Sequence, residues 1–524
     1  MNDLQTKNKL EEAINLYRAK DFANAELLFK ELIKENENNA DAWYFLGLLA
    51  MEVNKNKLAV GLFNRAIAIT PKEHFLIKKC VALYNVEDYR ALEQCTIALI
   101  KINPKPEYYC NLGVAYSKLE KYDLSIQCYH KTIALNPDFA PVYSNLGLAL
   151  KNKERYKESI DSYKKAIQLD PNFVDAYYNM AISYVSCKQL DNAVINYKKA
   201  LELDRNYKDA YLNLSIAYLL GRNFEEGWKY YEYRYNNLIE PAPNVKEPKP
   251  KWQGESLEGK TIYVMHEQGF GDSIQFVRYL AGLKKFGAKK IIFKSQKLLK
   301  QLFVENNFDP DIEIIDEITS ENDIYFDYYT LLLSLPGYLK VNEFNLYTRD
   351  AYLKANQDKV IDYKQQYFDN DKYKVGIVWQ GSLTHKSDNK RSVPLEKFYP
   401  LFDFENVQLY SLQKGAGEEQ MDKLPEKFNI IKLGDSFNDF GDSAAAIENL
   451  DLIITIDSAV AHLAAALGKE TWVILPQYYE WRWALDDDFT PWYSSMRFFR
   501  PQLYKDRLET MDRVMTAFKK RRAF

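Results

Sequence analysis

The amino-acid sequence predicts an α-helical solenoid followed by two α/β domains with parallel sheets. Three observations support this prediction: a 34-residue repeat within residues 1–237, a Pro-rich segment at 238–257, and short apolar runs that alternate with helical stretches from residue 258 onwards. Internal periods of this length are typical of stacked helical pairs. Strands that alternate with helices are typical of doubly wound parallel sheets. At 524 residues the chain is long enough for roughly three or four domains.

The charge balance and the polarity of the chain exclude two classes of function. Lys and Arg number 70, and Asp and Glu number 73, which gives a net charge of −3. Nucleic-acid binders and polybasic membrane anchors instead need clustered positive charge. The N-terminal segment is charged, and no stretch reaches about 18 apolar residues. We therefore expect a cytoplasmic protein without a signal peptide, a membrane insertion or a nucleic-acid partner.

The cysteines are predicted to be small packing residues. They form no CxxC pair, and no His stands at a zinc-ligand spacing from them. Free cysteines of this kind behave as small apolar side chains. The five are Cys80, Cys95, Cys110, Cys128 and Cys187.

Two sequence positions keep a common phase along the repeat. One holds mostly small residues, namely Ala13, Gly47, Val81, Gly113, Gly147, Ala181 and Ser215. The other holds aromatic residues, namely Phe29, Phe63, Tyr129, Tyr163, Tyr197 and Tyr231. We interpret each unit as two amphipathic helices that cross closely at the small residue. The pattern resembles the tetratricopeptide repeat, with about seven units, and this resemblance implies a concave groove that usually holds a protein segment.

A ladder of asparagines follows the same period. Its members are Asn111, Asn145, Asn179 and Asn213, each two residues before the small position on the first helix of its unit. In tetratricopeptide solenoids the first helix lines the concave face. A row of amides can bind an extended peptide backbone, and the ladder resembles that of O-GlcNAc transferase. The resemblance implies acceptor-binding residues. The alternative is a consensus residue, or one that bonds between neighbouring repeats.

The segment GESLEGKT at residues 254–261 matches the phosphate-binding P-loop pattern by its letters alone. A P-loop needs a strand before it and a helix after it. Here a Pro-rich segment precedes, and the strand-forming run TIYVM follows. We therefore predict that this segment is not a nucleotide site.

Two successive βα sets are predicted, over residues 258–368 and 369–524. The predicted strands are TIYVM, KKIIF and IEII in the first set, and KVGIVW, VQLYSL, FNIIKL, LDLIITI and TWVIL in the second. Ligands bind beyond the carboxyl ends of such strands. Three histidines follow predicted strands: His266, His385 and His462. One such histidine alone is more often a structural hydrogen-bonding residue, but three at the strand ends of two facing halves favour a site in the crevice between the halves.

The loop after the first strand carries the predicted catalytic residue. Gly269 and Gly271 allow a tight turn at a helix N-terminus, where free N–H groups favour anionic or polar ligands. Asp272, at the start of that helix, can accept a proton from an attacking hydroxyl. The alternative role for Asp272 is to cap the helix.

The second half supplies the predicted anion site. Asp457, Ser458 and Ala459 form a turn of small residues before a helix, which leaves backbone N–H groups open to a diphosphate. The basic loop after KVGIVW contains Lys386, Lys390 and Arg391, which could offset phosphate charge. A solvated basic loop is the alternative.

These motifs resemble, in their order, the heptosyltransferase-type branch of GT-B glycosyltransferases. They are GFGD, KRSVPLEKF, SLQKGAGEE and IDSAVAHLAAALGK. The tail PQYYEWRWALDDDFTPWYSSMRFFR resembles bacterial proteins that join tetratricopeptide repeats to such a domain, an architecture similar to that of O-GlcNAc transferase and flagellin glycosyltransferases. The resemblance implies an α-solenoid followed by an α/β GT-B fold of two Rossmann-like domains.

The resemblance also implies site roles. Asp272 would be the base, with His266 as a second catalytic candidate. Glu418 or Glu419 would bind a ribose, and Lys390 or Arg391 would be the positive partner of the diphosphate. The predicted donor site comprises Gly269, Gly271, Gln380, His385, Lys386, Lys390, Arg391, Glu418, Glu419, Asp457, Ser458, Ala459 and His462.

The expected function is sugar transfer from a nucleotide diphosphate sugar to a hydroxyl, most readily on a protein held by the repeats. Two alternatives stay open: a non-catalytic scaffold with a degenerate sugar-nucleotide domain, and a glycosyltransferase whose acceptor is a glycan or a lipid-linked molecule.

Two acidic segments, 309–311 and 486–488, match the metal-binding DxD pattern only superficially. Because helix N-termini and basic residues are available, we expect no metal and no cofactor besides the donor substrate.

Overall fold

A computed structural model describes residues 3–235, 248–317, 324–342, 350–383, 388–475, 480–483, 485, 488–501 and 507–521. The chain forms two compact units, Met1–Asp204 and Arg205–Phe524. The Pro-rich segment predicted as a linker, 238–257, lies within the second unit, and its first ten residues are outside the described residues. No helix in the described ranges is long and apolar enough to cross a membrane.

The first unit consists of helical pairs. Its helices are α1 (Asp3–Arg18), α2 (Phe22–Glu35), α3 (Ala40–Glu52), α4 (Asn56–Ile69), α5 (Glu73–Asn85), α6 (Tyr89–Ile102), α7 (Pro106–Lys118), α8 (Tyr122–Leu135), α9 (Ala140–Asn152), α10 (Tyr156–Leu169), α11 (Val174–Ser186) and α12 (Leu190–Leu203). A seventh pair, α13 (Lys208–Leu220) and α14 (Phe224–Tyr231), opens the second unit. The predicted number of repeats is thus confirmed.

Three of the pairs cross where the sequence places a glycine opposite an aromatic residue. A Cβ atom on Gly47 would lie 2.5 Å from the Phe63 ring, and one on Gly113 would lie 2.5 Å from the Tyr129 ring. These rings are fully buried, so a larger residue would push the helices apart. Cys80 also packs in a hydrophobic cluster of this unit, as expected.

The second unit contains two parallel sheets. Its strands are β1 (Thr261–Met265), β2 (Lys290–Lys294), β3 (Ile312–Ile315), β4 (Tyr328–Leu331), β5 (Tyr373–Val378), β6 (Val407–Ser411), β7 (Ile430–Lys432), β8 (Leu452–Ile456), β9 (Thr471–Ile474) and β10 (Met496–Phe499). The order is β3-β2-β1-β4 in one sheet and β10-β9-β8-β5-β6-β7 in the other. Both sheets are parallel, as predicted, but β4 and β10 were not expected from the sequence.

Helices cover these sheets. They are α15 (Phe270–Phe276), α16 (Lys297–Asn306), α17 (Leu335–Tyr338), α18 (Gln357–Tyr367), α19 (Asp388–Arg391), α20 (Phe440–Glu448), α21 (Ala459–Ala466) and α22 (Arg507–Arg521). The helix predicted after β1 changes to 3₁₀ geometry at Val277. Segment 254–261 leads directly into β1, which confirms that it is not a P-loop.

Both sheets reverse their strand order at a defined point. In the first sheet β1 lies between β2 and β4, and in the second sheet β5 lies beside β8. Loops that leave the carboxyl ends of strands at such a point diverge and open a crevice. The loops after β1, β5 and β8 are therefore the ones positioned to form a site.

The last helical pair packs on the α/β part of the second unit. The Trp228 ring of α14 lies 5.4 Å from that of Trp481, and the Phe224 ring lies 5.7 Å from that of Trp492. The Trp228 indole also donates a 2.7 Å hydrogen bond to the Val341 carbonyl oxygen. This last repeat is thus built into the unit that carries the sheets.

Candidate functional site

A cleft of about 710 Å³ lies at the carboxyl ends of β1, β5 and β8. It brings together residues that sequence analysis selected from three separate loops. Those that line it are Gly269, Gly271, Asp272, Arg391, Asp457, Ser458, Ala459 and His462. The predicted catalytic and diphosphate-binding segments therefore share one cavity.

Asp272 lies at the start of α15, with both carboxylate oxygens engaged. Oδ2 accepts a 2.9 Å hydrogen bond from the Gly269 amide. Gly269 is the N-cap residue of α15, so Asp272 is not the N-cap itself, but its side chain bonds to the N-cap amide. Oδ1 accepts a hydrogen bond from Nη2 of Arg482. A Cβ on Gly271 would lie 2.7 Å from Cδ2 of His462. Glycine is therefore needed for α15 to approach α21 this closely.

The N-terminus of α21 opens into the cleft. Ser458 is its N-cap residue, but the side chain makes no capping hydrogen bond and instead lies 3.1 Å from the Thr455 hydroxyl. The first N–H groups of a helix carry a partial positive charge and attract anions. This turn can therefore receive a phosphate-like group.

His462 is held in the neutral form. Its Nδ1 is 2.9 Å from the Tyr493 hydroxyl. Burial, together with the nearby positive charge of Arg482, lowers the pKa of His462 well below its usual value. At neutral pH the imidazole can form hydrogen bonds in the cleft, but it adds no positive charge there.

Arg391 points one guanidinium edge towards the cleft. Its Nε is 3.1 Å from the Asp388 carboxylate, and its Nη1 donates to the Asp457 carbonyl oxygen at 3.3 Å. A Cβ on Gly381 would lie 2.5 Å from Nη2 of Arg391. The glycine after β5 thus leaves room for this arginine.

Arg482 and Glu480 are site residues that the sequence did not predict. Nη1 of Arg482 lies 2.5 Å from Oε1 of Glu480, and both residues line the cleft with Trp483. Burial raises the pKa of Glu480 to about 7, against the opposing effect of Arg482. In the sequence these two residues appear only as a pair of charges within the Trp-rich tail. Such a pair matches no motif by its spacing, so it could not be recognised as part of a site.

The loop that carries Gly269 is anchored by a buried ion pair. The Glu267 side chain is fully buried and accepts hydrogen bonds from Arg234 at 2.8 and 3.0 Å. It also accepts from the Leu333 amide at 2.9 Å and from the Tyr235 hydroxyl. Arg234 follows α14, so the last repeat holds the loop between β1 and α15.

Two predicted site residues, His266 and Gln380, lie outside the set of residues that line the cleft. Nδ1 of His266 is 3.0 Å from the Lys294 carbonyl oxygen at the end of β2, and burial lowers the pKa of His266. Oε1 of Gln380 accepts a 3.0 Å hydrogen bond from Gln420 and lines a separate cavity. Neither is among the residues that line the cleft.

The carboxylates of Glu418 and Glu419 fold back onto their own loop. Glu418 accepts from the Gly415 amide at 2.5 Å, and Glu419 accepts from the Gly417 amide at 2.8 Å. They shape the loop after β6 and do not line the cleft. His385 and Lys386 lie outside the described residues, and Lys390 lies in α19.

The asparagine ladder is distributed over both units, with Asn213 in the second. Asn145 donates to Cys110 Sγ at 3.8 Å, a contact with the preceding repeat, and Asn179 donates to the Asp175 carbonyl oxygen of its own helix at 2.9 Å. Asn111 is exposed. Bonding between neighbouring repeats, the alternative weighed from the sequence, therefore occurs at Asn145.

The acidic pair in segment 309–311 forms a turn before β3. The Asp311 amide donates to Asp309 at 2.9 Å, and the Asp311 carboxylate pairs with Lys284. Segment 486–488 is described only at Asp488. Across the described ranges there is no cluster of three or more His, Cys, Asp or Glu side chains that could hold a metal ion.

Comparison with known sequences identifies the repeats. Models described as tetratricopeptide repeat match residues 10–74, 106–139 and 174–207, and one described as TPR repeat matches 150–186. Protein FlbA of Caulobacter vibrioides is 26% identical over 317 residues, which is 56% of this chain. The chain spans about half of that relative, 52% of its length.

Solved repeat structures are similar to part of the chain. YrrB, described as a TPR protein with an unusual peptide-binding site, is 19% identical with a TM-score of 0.30, over 35% of this chain and 95% of YrrB. The C-terminal part of a TPR repeat-containing protein from Cytophaga hutchinsonii is 18% identical with a TM-score of 0.37, over 43% of this chain and 94% of that one. The sequence matches and the helical pairs together show that the chain contains tetratricopeptide repeats between residues 10 and 207.

Proposed function

We propose that this protein is a glycosyltransferase that moves a sugar from a nucleotide diphosphate sugar to a hydroxyl group of a protein recruited by the repeats. One observation carries the proposal. The cleft combines a carboxylate at the start of α15, the uncapped N-terminus of α21 and two arginines. Sugar transfer needs a proton acceptor for the attacking hydroxyl and positive groups for the departing diphosphate.

The residues of the cleft divide between these two tasks. Asp272 would accept the proton of the acceptor hydroxyl as that oxygen attacks the anomeric carbon. The amides after Ser458 and the guanidinium of Arg391 would stabilise the negative charge that develops on the leaving diphosphate. His462, neutral and fixed by Tyr493, would contribute a hydrogen bond.

The direct test is a transfer assay with several radiolabelled nucleotide sugars and a cell extract as the source of acceptor. We expect label on protein with one donor, and slow hydrolysis of the same donor when the extract is omitted. If the purified protein binds a nucleotide diphosphate yet neither transfers nor hydrolyses any donor, it is not a transferase under these conditions and the proposal fails.

A second candidate function is a non-catalytic scaffold whose cleft binds a nucleotide. The observation that favours it is the ion pair between Asp272 and the buried Arg482, because both carboxylate oxygens of Asp272 already accept hydrogen bonds and neither is free to face an acceptor hydroxyl. Isothermal titration with nucleotides, combined with the turnover assay, separates the two functions.

Transfer is expected to persist in excess EDTA. The α21 N-terminus and the two arginines of the cleft already supply positive charge for the diphosphate. The measurement is label transfer with EDTA, with EDTA followed by Mn²⁺, and with neither. Loss of activity on chelation and its return with Mn²⁺ would instead assign a metal ion to the reaction.

Acceptor recognition is proposed to involve the asparagine ladder, since tetratricopeptide repeats generally bind protein segments. A single Asn→Ala change removes at most a hydrogen bond worth about 1 kcal/mol. Replacing Asn111, Asn145, Asn179 and Asn213 together is expected to raise the acceptor KM about tenfold or more, subject to non-additivity. Donor Kd and slow donor hydrolysis are expected to stay unchanged.

The control for this experiment is an equally polar change off the ladder, Asn192→Ala on α12, which has its own hydrogen bond to Gln189. An unchanged acceptor KM in the folded quadruple variant would show that the ladder only packs the repeats, as the Asn145 contact with Cys110 already suggests for one member.

A further inference from the structure

The cleft contains more acidic than basic side chains. Asp272, Asp457 and Glu480 line it, but the arginines among its described lining residues are Arg391 and Arg482. An anion such as a diphosphate that enters this cleft meets carboxylates within a partly buried space, where repulsion between like charges is strong. Anion binding therefore requires that the existing charges rearrange.

Arg482 is the group that can rearrange. It is 8% exposed and bonds to two carboxylates, Asp272 through Nη2 and Glu480 through Nη1. Its Nε is buried and has no hydrogen-bond partner among the described residues. A buried guanidinium N–H without a partner is costly, so this arginine has unused capacity to bind an oxygen acceptor in the cleft.

We propose that Arg482 is a shared counter-ion that an incoming anion takes over: the anion binds the guanidinium, Glu480 takes up one proton from solvent, and Asp272 is released from its ion pair. The inference rests on the donor site proposed above and deepens it. It explains how a carboxylate that is paired in the free protein becomes available as a proton acceptor once the donor is bound.

Glu480 is suited to take up the proton. Its Oε2 accepts a 2.9 Å hydrogen bond from the Arg482 amide, and its Oε1 faces the Arg482 guanidinium. Burial raises the pKa of Glu480 to about 7 even with Arg482 beside it, and withdrawal of the guanidinium favours the neutral acid further. The other charged or titratable groups that face this part of the cleft are Asp272 on α15, Arg391 on α19, Asp457 after β8 and His462 on α21.

The proposal predicts a characteristic pH dependence. If the anion binds only when Glu480 is neutral, ionisation of Glu480 weakens binding about tenfold for each pH unit above its pKa of about 7. Near pH 6 Glu480 is already mostly protonated, so the effect there is small. Glu480→Gln, which is always neutral, is free of this effect at any pH.

The experiment measures binding of inorganic pyrophosphate to the full chain by isothermal titration near pH 6 and near pH 8. Wild type and variants are compared at the same pH, so the ionisation of pyrophosphate affects all their measured affinities equally. We expect Glu480→Gln to match wild type near pH 6 and to bind about tenfold more tightly near pH 8. We also expect titrations in two buffers of different ionisation enthalpy near pH 8 to show proton uptake that Glu480→Gln lacks.

Arg482→Gln is expected to weaken pyrophosphate binding at least tenfold near pH 6. If this variant does not fold, Arg482→Lys is measured in its place. Arg513→Gln on α22, whose guanidinium bonds to the Arg500 carbonyl oxygen away from the cleft, is the matched control and is expected to bind as wild type. Equal affinities of wild type and Glu480→Gln near pH 8, or wild-type affinity in a folded Arg482 variant, would overturn the inference.

The outcome also separates this inference from the proposed function. If wild type binds no pyrophosphate, both the counter-ion exchange and the donor-site assignment fail. If binding shows the expected dependence on Arg482 and Glu480 but no sugar donor is turned over, the exchange stands and the transferase proposal fails.

Discussion

The Asp272→Asn variant is expected to lose about 10²- to 10⁴-fold in the turnover number of sugar transfer, which is the usual contribution of a positioned general base. The substitution keeps the shape of the side chain and one oxygen acceptor, so the hydrogen bond from the Gly269 amide can persist. Because the substitution removes the carboxylate that occupies Arg482 in the free protein, nucleotide binding should not weaken. The measurement is kcat for transfer together with the Kd for the nucleotide diphosphate.

The matched control for this variant is Asp309→Asn. Asp309 lies in the turn before β3, where its carboxylate accepts the Asp311 amide, a bond that asparagine can also accept. We expect wild-type kcat from this variant. Normal turnover by folded Asp272→Asn would remove Asp272 as the base, and the scaffold function favoured by its ion pair with Arg482 would gain support.

The Arg234→Gln variant is expected to lower the free energy of unfolding of the second unit by about 3–5 kcal/mol, because it leaves the Glu267 carboxylate buried without its charge partner. The Arg234 side chain is 4% exposed and that of Glu267 is fully buried. Every tryptophan except Trp43 lies in the second unit, so tryptophan fluorescence in a urea titration reports mainly on this unit.

Two comparisons make the Arg234 result specific. Arg513→Gln removes a half-exposed arginine of the same unit and is expected to cost no more than about 1 kcal/mol. The double change Arg234→Gln with Glu267→Gln removes both charges and should recover part of the loss. A loss below about 1 kcal/mol for Arg234→Gln alone would show that water or another group compensates Glu267.

Because Glu267 precedes the Gly269–Asp272 segment, the Arg234 variant also tests how the last repeat supports the site. We expect pyrophosphate affinity to fall in Arg234→Gln under conditions where the unit is still folded. Unchanged affinity would restrict the ion pair to a stabilising role.

The repeats and the parallel sheets were predictable because their signals are local. A small residue such as Gly113 and an aromatic residue such as Tyr129 lie within one repeat, and the same contact recurs at Gly47 and Gly147. The strands from β1 to β9, apart from β4, are apolar runs bounded by helices. β4 and β10 gave weaker signals because β4 is short and half exposed, and β10 lies in the aromatic-rich tail.

The residues at the carboxyl ends of β1 and β8 were also identified from the sequence, because a βα turn with small residues has a recognisable local pattern. The same reasoning selected Gln380, Glu418 and Glu419, which do not line the cleft. Their side chains reach nearer partners: Gln420 binds the first, and the Gly415 and Gly417 amides bind the two glutamates. A sequence motif indicates which residues are near a site but not which neighbour satisfies each polar group.

The sequence by itself determined the repeat architecture, the two parallel sheets and most of the loops that line the cleft, since each depends on a periodicity or turn within about 35 residues. Only the tertiary structure decided the electrostatics of the cleft. Asp272 meets Arg482 across 210 residues of sequence. Glu267 and Arg234 are only 33 residues apart, but they lie in different structural elements and belong to no common repeat or turn. No local pattern encodes such pairs, because they arise only when folding buries distant charges together and each must find its counter-ion.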